Sequence, residues 1–526
     1  MTVLQQFEQW LLNYWPSWAA YLVPALIAFL IIVVIVLVGA LLFIYFERRF
    51  IGRFQIRQGP NRAGPLGILQ PVADAIKVLI KEDIVPIKAD RWVHYWAPII
   101  AFFPVLMIFA VIPWGQGAIF ADLNIGILYV IAIGSVAAIG IFMAGWGSNN
   151  KFSLIAGMRT IAQMISYEIP LVLSIVGVLI IAGSLSMVSI VEAQHVPFVL
   201  LQPLGFLIFF LAVAAELNRS PFDLLEAESE IVSGFHTEYS GMKFALFYLS
   251  EYAHAFAMSA VAVTLFFGGW GWALLPGPLW FFIKVFMLFA IFLWMRSTLP
   301  RIRVDQLMGF AWKFLFPLAL INLFITAAEA LIWPGFPWWL LFLNLAIAAL
   351  LIVLWSGLFP VPGEGVSFNR YGRGIAKGMA LTFRHLFRHP ITVQYPEQKL
   401  TPAPRFRGYQ LIWYEDQCNG CRACVRACPV SIIDIETQKG EKGLVVEKLE
   451  VDFGRCLFCG LCVEACPVQA LFMSRDYEKA TYRRESLVMN KEQFIAAEKR
   501  RSAYAYPDLE AEMPPQTLLA PPKEGR

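Results

Sequence analysis

"YLVPALIAFLIIVVIVLVGALLFIYF", residues 21–46, runs for 26 residues without one charged side chain. A helix needs roughly 20 apolar residues to cross the hydrocarbon core of a bilayer, so this stretch is long enough to span. The surrounding chain of 526 residues is 58% hydrophobic and only 15% charged, with a mean hydropathy of +0.62. A soluble domain of ordinary composition carries about 25% charged residues, so most of this chain is expected to lie in a membrane. No Lys or Arg precedes the opening stretch, which is also longer than a signal-peptide core, so no cleaved leader is expected. The net charge of +4 is small for such a length, and no nucleic-acid partner is expected.

Working outward, hydropathy gives about nine spans, near 20–46, 96–115, 124–146, 168–190, 201–217, 246–270, 278–297, 312–333 and 337–359. Arg48, Arg49, Arg53, Arg57, Arg62, Lys77, Lys81, Lys88 and Arg91 follow the first span. Lys151 and Arg159 follow the third, Arg219 and Lys243 the fifth, and Arg296, Arg301 and Arg303 the seventh. The alternate connections, near 116–123, 191–200, 271–277 and 334–336, hold no Lys or Arg. The positive-inside rule therefore puts the N-terminus outside and the end of the ninth span in the cytoplasm.

After that span the composition changes. "FPVPGEGVSFNRYGRG", residues 359–374, reads as a linker, followed by "IAKGMALTFRHLFRHP", a basic and partly amphipathic segment suited to a membrane surface. Gly372, Gly374 and Gly378 are spaced loosely like a dinucleotide loop, but no strand precedes them and the linker reading prevails. All eight cysteines follow, as "CNGCRACVRACP" from Cys418 and "CLFCGLCVEACP" from Cys456, two copies of one pattern offset by 38 residues. The spacing C-x2-C-x2-C-x3-C-P is that of a two-cluster ferredoxin, in which the fourth cysteine of each run crosses to the other cluster. On that pattern Cys418, Cys421, Cys424 and Cys466 hold one [4Fe-4S] cluster, and Cys456, Cys459, Cys462 and Cys428 the second. Disulfides are disfavoured on the cytoplasmic side, and structural zinc sites favour paired ligands over triplets ending in Cys-Pro. The apolar stretches "VSIIDIE" and "GLVVEKLEV" are expected as short strands. The architecture is thus an all-α polytopic membrane bundle (1–360), a linker and surface segment (361–410), a small α+β ferredoxin domain (411–475) and a polar tail (476–526) with one helix near "NKEQFIAAEKRR".

The membrane part holds more than an anchor requires. In "AAELNRSPFDLLEAESEIV", residues 214–232, five acids stand between apolar segments: Glu216, Asp223, Glu226, Glu228 and Glu230. Glu216 ends an apolar run and is expected within the bilayer boundary, where an ionisable group marks a functional pathway by default. For Glu228 and Glu230, simple solvation in a cytoplasmic loop is an equal alternative. "AGMRTIAQMISYEIP" adds Arg159, Gln163, Tyr167 and Glu168 at the start of the fourth span, and "FYLSEYAHAF" adds Glu251 and His254 in the sixth. After the first span, Gly59, Pro60, Gly64, Pro65 and Gly67 predict a compact turn. Leu69, Val72, Ala73, Ile76, Leu79 and Ile80 then predict a helix in the interface plane, with Asp74, Lys77 and Lys81 opposite. Lys284 and Glu329, deep in the seventh and eighth spans, are expected as a structural ion pair or a snorkelling lysine.

These segments carry a resemblance. "FERRFIGRFQIRQGPNRAGPLGILQP", "MISYEIPL", "AELNRSPFDLLEAESEIVSGFHTEYSGMKFALFYLSEYAH" and "STLPRIRVDQLM" resemble the NuoH-type quinone-site membrane subunit of respiratory complex I. The tail from about residue 375 resembles the NuoI-type ferredoxin subunit of that complex; the family keeps the two as separate polypeptides, whereas here they are fused. The resemblance implies a subunit of a proton-translocating NADH:quinone oxidoreductase in a prokaryotic plasma or inner membrane, with the ferredoxin domain cytoplasmic and quinone (ubiquinone or menaquinone) as substrate. It implies a carboxylate relay of Glu168, Glu216, Asp223, Glu226, Glu228, Glu230, Glu251 and Asp74. Arg48, Arg53, Arg62, Arg219 and Arg301 would lie in the quinone region, with Arg219 beside Glu216. Its implied partners are peripheral iron–sulfur and quinone-site subunits and antiporter-like membrane subunits, with no NADH site in this chain. A membrane-bound hydrogenase, a deazaflavin-coenzyme dehydrogenase and a non-pumping tethered ferredoxin are the alternatives.

Overall fold

The computed structural model describes residues 10–14, 16–225, 228–271, 275–333, 335, 337–358, 368–440, 443–514 and 516–519. Two compact units follow one another, Met1–Ile391 and Thr392–Arg526.

In the first unit seven helices are long and apolar enough to cross a membrane: α1 (Ser17–Phe54), α3 (Arg91–Ile108), α4 (Gly126–Gly147), α5 (Lys151–Ala182), α7 (Gly241–Phe266), α8 (Gly277–Thr298) and α9 (Val304–Ile332). Two shorter apolar helices, α6 (Pro203–Glu216) and α10 (Leu340–Leu354), stand where the remaining two spans are expected. α2 (Gln70–Ile80), α11 (Phe368–His385) and short helices such as Met187–Ala193 and Phe198–Leu201 also belong to the unit.

The centre is α7, buried without interruption from Tyr252 to Phe266. Its small residues, among them Ala253, Ala257, Ala260 and Ser259, let α1, α3 and α8 approach closely, which is how helices associate where no hydrophobic effect drives them together. Phe43 of α1 locks this contact, with ring centroids 4.0 Å from Phe289 and 5.1 Å from Phe256. Aromatic pairs at such spacing add about 0.5–1.5 kcal/mol each beyond their area.

Three expectations are corrected here. The fourth span, expected near 168–190, is a helix from Lys151 to Ala182, so Arg159, Gln163, Tyr167 and Glu168 lie along its length. Hydropathy stops at these polar residues, but tertiary partners satisfy them: Gln163 Nε2 donates to the carbonyls of Ala215 (2.7 Å) and Phe222 (2.8 Å), and the Tyr167 hydroxyl to that of Leu307 (2.9 Å). Lys284 and Glu329 form no ion pair with each other. Lys284 Nζ donates to the carbonyls of Phe267, Gly269 and Gly271 at 2.8, 2.9 and 3.1 Å, closing the C-terminal end of α7 where backbone acceptors lack helical partners. The segment read as linker then surface piece is helical from Phe368, and residues 359–367 lie outside the described ones. α11 docks on α8: Trp294 Nε1 donates to Met379 O and Thr382 Oγ1, both at 3.1 Å.

The second unit folds as an internal repeat. β3 (Ile433–Gly440) and β4 (Gly443–Asp452) form the hairpin expected from the two apolar stretches. β1 (Lys399–Leu400) pairs antiparallel with Leu518–Leu519, and β2 (Leu411–Trp413) with β5 (Leu471–Met473). Positive φ recurs at positions offset by the same 38 residues: Gly420 and Phe458, Arg422 and Gly460, Ser431 and Gln469. Each pair turns its cysteine loop the same way, so the repeat is one of backbone conformation as well as sequence. Residues after 475 differ from the expected polar tail. β6 (Val488–Asn490) adds to β4, and Phe494 of the helix Lys491–Ala496 is 2% exposed in the same apolar core as Trp413 and Val451. Only a tertiary core reveals this, because a single buried Phe in a polar segment has no periodicity to read.

Candidate functional site

A cavity inside the first unit is lined by Glu216, Glu251, His254, His236, Met164 and Phe247, among others. Glu216 closes α6, whose 14 residues rise only about 21 Å. A helix that short falls short of a hydrocarbon core of roughly 30 Å. Gln163, reaching from α5 to the carbonyls of Ala215 and Phe222, fixes the turn in which Glu216 ends. Glu216 Oε1 lies 3.7 Å from His254 Nε2 on α7, and its Oε2 is buried without a hydrogen-bond partner. Glu168, which accepts a hydrogen bond from Ser135, is near enough for its charge to act on Glu216.

Four charged groups form a string that meets this cavity at Glu251, with Glu47 and Arg219 buried at its centre and Arg296 and Glu251 part-exposed at its ends. Arg296 of α8 pairs with Glu47 of α1 at 2.5 Å, Glu47 with Arg219 at 2.8 Å, and Arg219 with Glu251 of α7 at 3.1 Å. The Arg219 guanidinium also stands over the Tyr252 ring, 4.6 Å from its centroid. This corrects the expected pairing of Arg219 with Glu216. Glu47, 5% exposed, was not singled out in the sequence, although an acid in the last turns of an apolar helix is the signal that would have found it.

The other expected acids lie elsewhere. Asp74 pairs with Arg48 at 2.5 Å, Asp223 with Arg301 at 2.9 Å, and Glu230 with Arg159 at 2.6 Å, each in a pair away from the cavity lining. Glu226 lies outside the described residues, as does the side chain of Glu228. Arg53 and Arg62 are exposed near the turn that follows α1. That turn is held by Arg49, which donates to the carbonyl of Leu66 at 3.0 Å, and by Gly67, with φ +78° and a backbone so close that a Cβ would sit 2.1 Å from the Pro60 carbonyl oxygen. Beyond it α2 leaves Leu69, Val72, Ile76, Leu79 and Ile80 exposed, an apolar face suited to an interface.

In the second unit the eight cysteines are free and fall into two sets. Cys418, Cys421, Cys424 and Cys466 line one cavity; Cys428, Cys456, Cys459 and Cys462 line another. Burial pushes the Cys424 thiol up to about 11 and the Cys462 thiol up to about 12, so bare thiolates are disfavoured there and a cationic metal centre is what would hold them as ligands. Backbone N–H groups already point at sulfur, from Phe458 to Cys456 at 3.4 Å and from Ala470 to Cys466 at 3.3 Å. The residues fit iron–sulfur clusters.

Fold and site together define a multi-span membrane protein with a buried acid–base network and an attached iron–sulfur module. The NADH dehydrogenase family matches residues 27–327, and the 4Fe-4S dicluster domain matches residues 417–470. The H subunit of an NADH-quinone oxidoreductase from Dehalococcoides mccartyi is 61% identical over 333 residues, 63% of this chain and 94% of the relative. The protein of the same name from Brevibacillus brevis is 50% identical over 332 residues, 62% of this chain and 96% of the relative. The one from Carboxydothermus hydrogenoformans is 51% identical over 293 residues, 55% of this chain and 84% of the relative. The chain belongs to the NADH dehydrogenase family, in the line of these relatives, with an iron–sulfur domain on the same polypeptide.

Proposed function

We propose that this chain serves as the quinone-site membrane subunit of a proton-translocating NADH-quinone oxidoreductase, and that its eight cysteines hold two [4Fe-4S] clusters. When bound, such clusters supply one-electron carriage toward quinone. The observation that carries the reading is the convergence of Glu216, His254 and Glu251 on one cavity, joined through Arg219 to Glu47 and Arg296. Reducing a quinone takes two electrons and two protons, and a negative species formed nearby changes the proton affinity of these acids through a low-dielectric medium. Carboxylates so close titrate as coupled sites, which is what a relay requires. The peripheral pairs of Asp74, Asp223 and Glu230 would join the relay only by releasing Arg48, Arg301 and Arg159.

The quinone reaches the cavity past the turn and exposed face of α2, with Arg48, Arg53 and Arg62 at its entry. In this reading the N-terminus is outside and the iron–sulfur domain is in the cytoplasm with the donor subunits, an orientation that the Lys- and Arg-rich alternate loops support. Partners are the peripheral iron–sulfur and quinone-site subunits and antiporter-like membrane subunits; NADH is oxidised elsewhere in the assembly. Mild-detergent purification of the chain from its native membrane, with mass spectrometry of what accompanies it, tests the proposal. Antiporter-like subunits with a flavin- and NADH-binding module are expected. A nickel hydrogenase or a deazaflavin-binding subunit in their place would replace the donor, and recovery of the chain alone would favour a tethered carrier.

A further inference from the structure

A second polar site lies in the first unit, lined where the end of α9 meets α10 and the start of α6. Glu329, Gln202, Asn322, Thr326 and Asn344 line one small cavity, and all are buried. Glu329 is 6% exposed, and no ion pair reaches it among the described residues. The other charged side chains of α5, α6 and α9 are Lys151, Arg159, Glu168, Glu216, Asp305 and Lys313; none lines this cavity, and the described part of α10 has none. A carboxylate so placed is costly unless a proton or counter-charge neutralises it.

The hydrogen bonds fix most of the surroundings. Thr326 Oγ1 donates to Asn322 O at 2.9 Å and so accepts from Gln202 Nε2 at 2.9 Å, which sets the orientation of the Gln202 amide. Asn344 Nδ2 donates to Leu201 O at 2.7 Å and to Glu329 Oε2 at 3.2 Å. Three buried atoms are left without a partner: the acceptors Glu329 Oε1 and Gln202 Oε1, and the donor Asn322 Nδ2. One water molecule complements all three, donating to the two oxygens and accepting from the amide. With a proton on Glu329 the same water accepts from the carboxyl O–H and from Asn322, and still donates to Gln202. Both forms of the acid are satisfied, which is the requirement for a group that takes up and releases a proton without rearranging its neighbours.

We propose that Glu329 and one bound water form a second proton-holding site, separate from the acids around Glu216 and built by Gln202, Asn322 and Asn344. Asn344 is the positioning residue, because its amide holds the second carboxyl oxygen.

The test is infrared difference spectroscopy on the purified full-length protein within its complex, in H2O and D2O. The native protein should show the C=O stretch of a protonated carboxylic acid that shifts in D2O, and Glu329→Gln should lack it. Asn344→Ala, which keeps the acid, should move the band without removing it, so the reading does not depend on how well the Glu329 variant folds. A spectrum unchanged by Glu329→Gln would overturn the proposal, as would a band that does not shift in D2O. Loss of the band on adding sodium ions alone, at constant pH, would also overturn it, in favour of a cation site.

Discussion

His254 Nε2 lies 3.7 Å from Glu216 Oε1, just beyond hydrogen-bond reach, with the His254 ring buried and no partner on that nitrogen. A base and an acid held so near, on two different helices, are poised to share a proton through a small side-chain shift or one bridging water. Glu216→Gln should therefore abolish proton pumping and lower quinone reductase activity by about 100-fold, while the cluster signals persist. Because the two residues act as a unit, Glu216→Gln with His254→Leu should lose little more than either alone. Turnover assays with a pH-sensitive dye in proteoliposomes measure both, and native pumping in the Gln variant would remove Glu216 from the relay.

Glu47 bridges Arg219 and Arg296, and the side chains of Glu47 and Arg219 are 6% and 4% exposed. Glu47→Ala leaves the buried Arg219 with Glu251 as its remaining carboxylate partner and takes a partner from Arg296; breaking a buried pair costs about 3–5 kcal/mol. Thermal unfolding should show a large drop for Glu47→Ala and a smaller one for Glu47→Ala with Arg219→Met, since the second change removes the buried charge that has lost a partner. Equal drops would show that packing, not charge, decides stability here.

The cysteine sets cross between the two sequence runs, which makes them separable by electron paramagnetic resonance. Cys459→Ala and Cys428→Ala should diminish the same cluster signal, and Cys421→Ala and Cys466→Ala the other. If Cys428→Ala grouped with Cys421→Ala instead, each run would serve its own cluster.

Phe494 joins the helix Lys491–Ala496 to the core that flanks both cysteine sets. Phe494→Ala should cost about 3–5 kcal/mol. The measurable outcome is faster bleaching of iron–sulfur absorbance on heating, with no change in the unmodified first unit. Bleaching at the native rate would mean that residues after 475 are dispensable to the module.

At Gly67 an added Cβ would meet the Pro60 carbonyl oxygen at 2.1 Å, on a backbone with φ +78°. Gly67→Ala should open the turn after α1, destabilising it by more than about 1 kcal/mol. Limited proteolysis within residues 57–69 should accelerate, and the apparent KM for quinone should rise more than kcat falls if this turn frames the entry.

The nine apolar segments, the two cysteine runs and the interface helix after Gly67 were legible in the sequence because each is a local signal. Span length, ligand spacing and a 3.6-residue period depend only on near neighbours along the chain. The strands Ile433–Gly440 and Gly443–Asp452 were legible for the same reason. The partners were not. Arg219 stands three residues from Glu216, yet it reaches Glu47, 172 residues away, and Glu251. The early start of α5 escaped hydropathy because Gln163 and Tyr167 are polar by type and buried by context, their hydrogen bonds going to carbonyls of other segments. Phe494 escaped because one aromatic in a charged tail has no pattern. What the sequence by itself determined is which stretches enter the membrane and which residues have the chemistry. Only the tertiary structure decided which acid meets which cation, because a buried charge is settled by the groups that surround it in space, and those come from helices far apart in the chain.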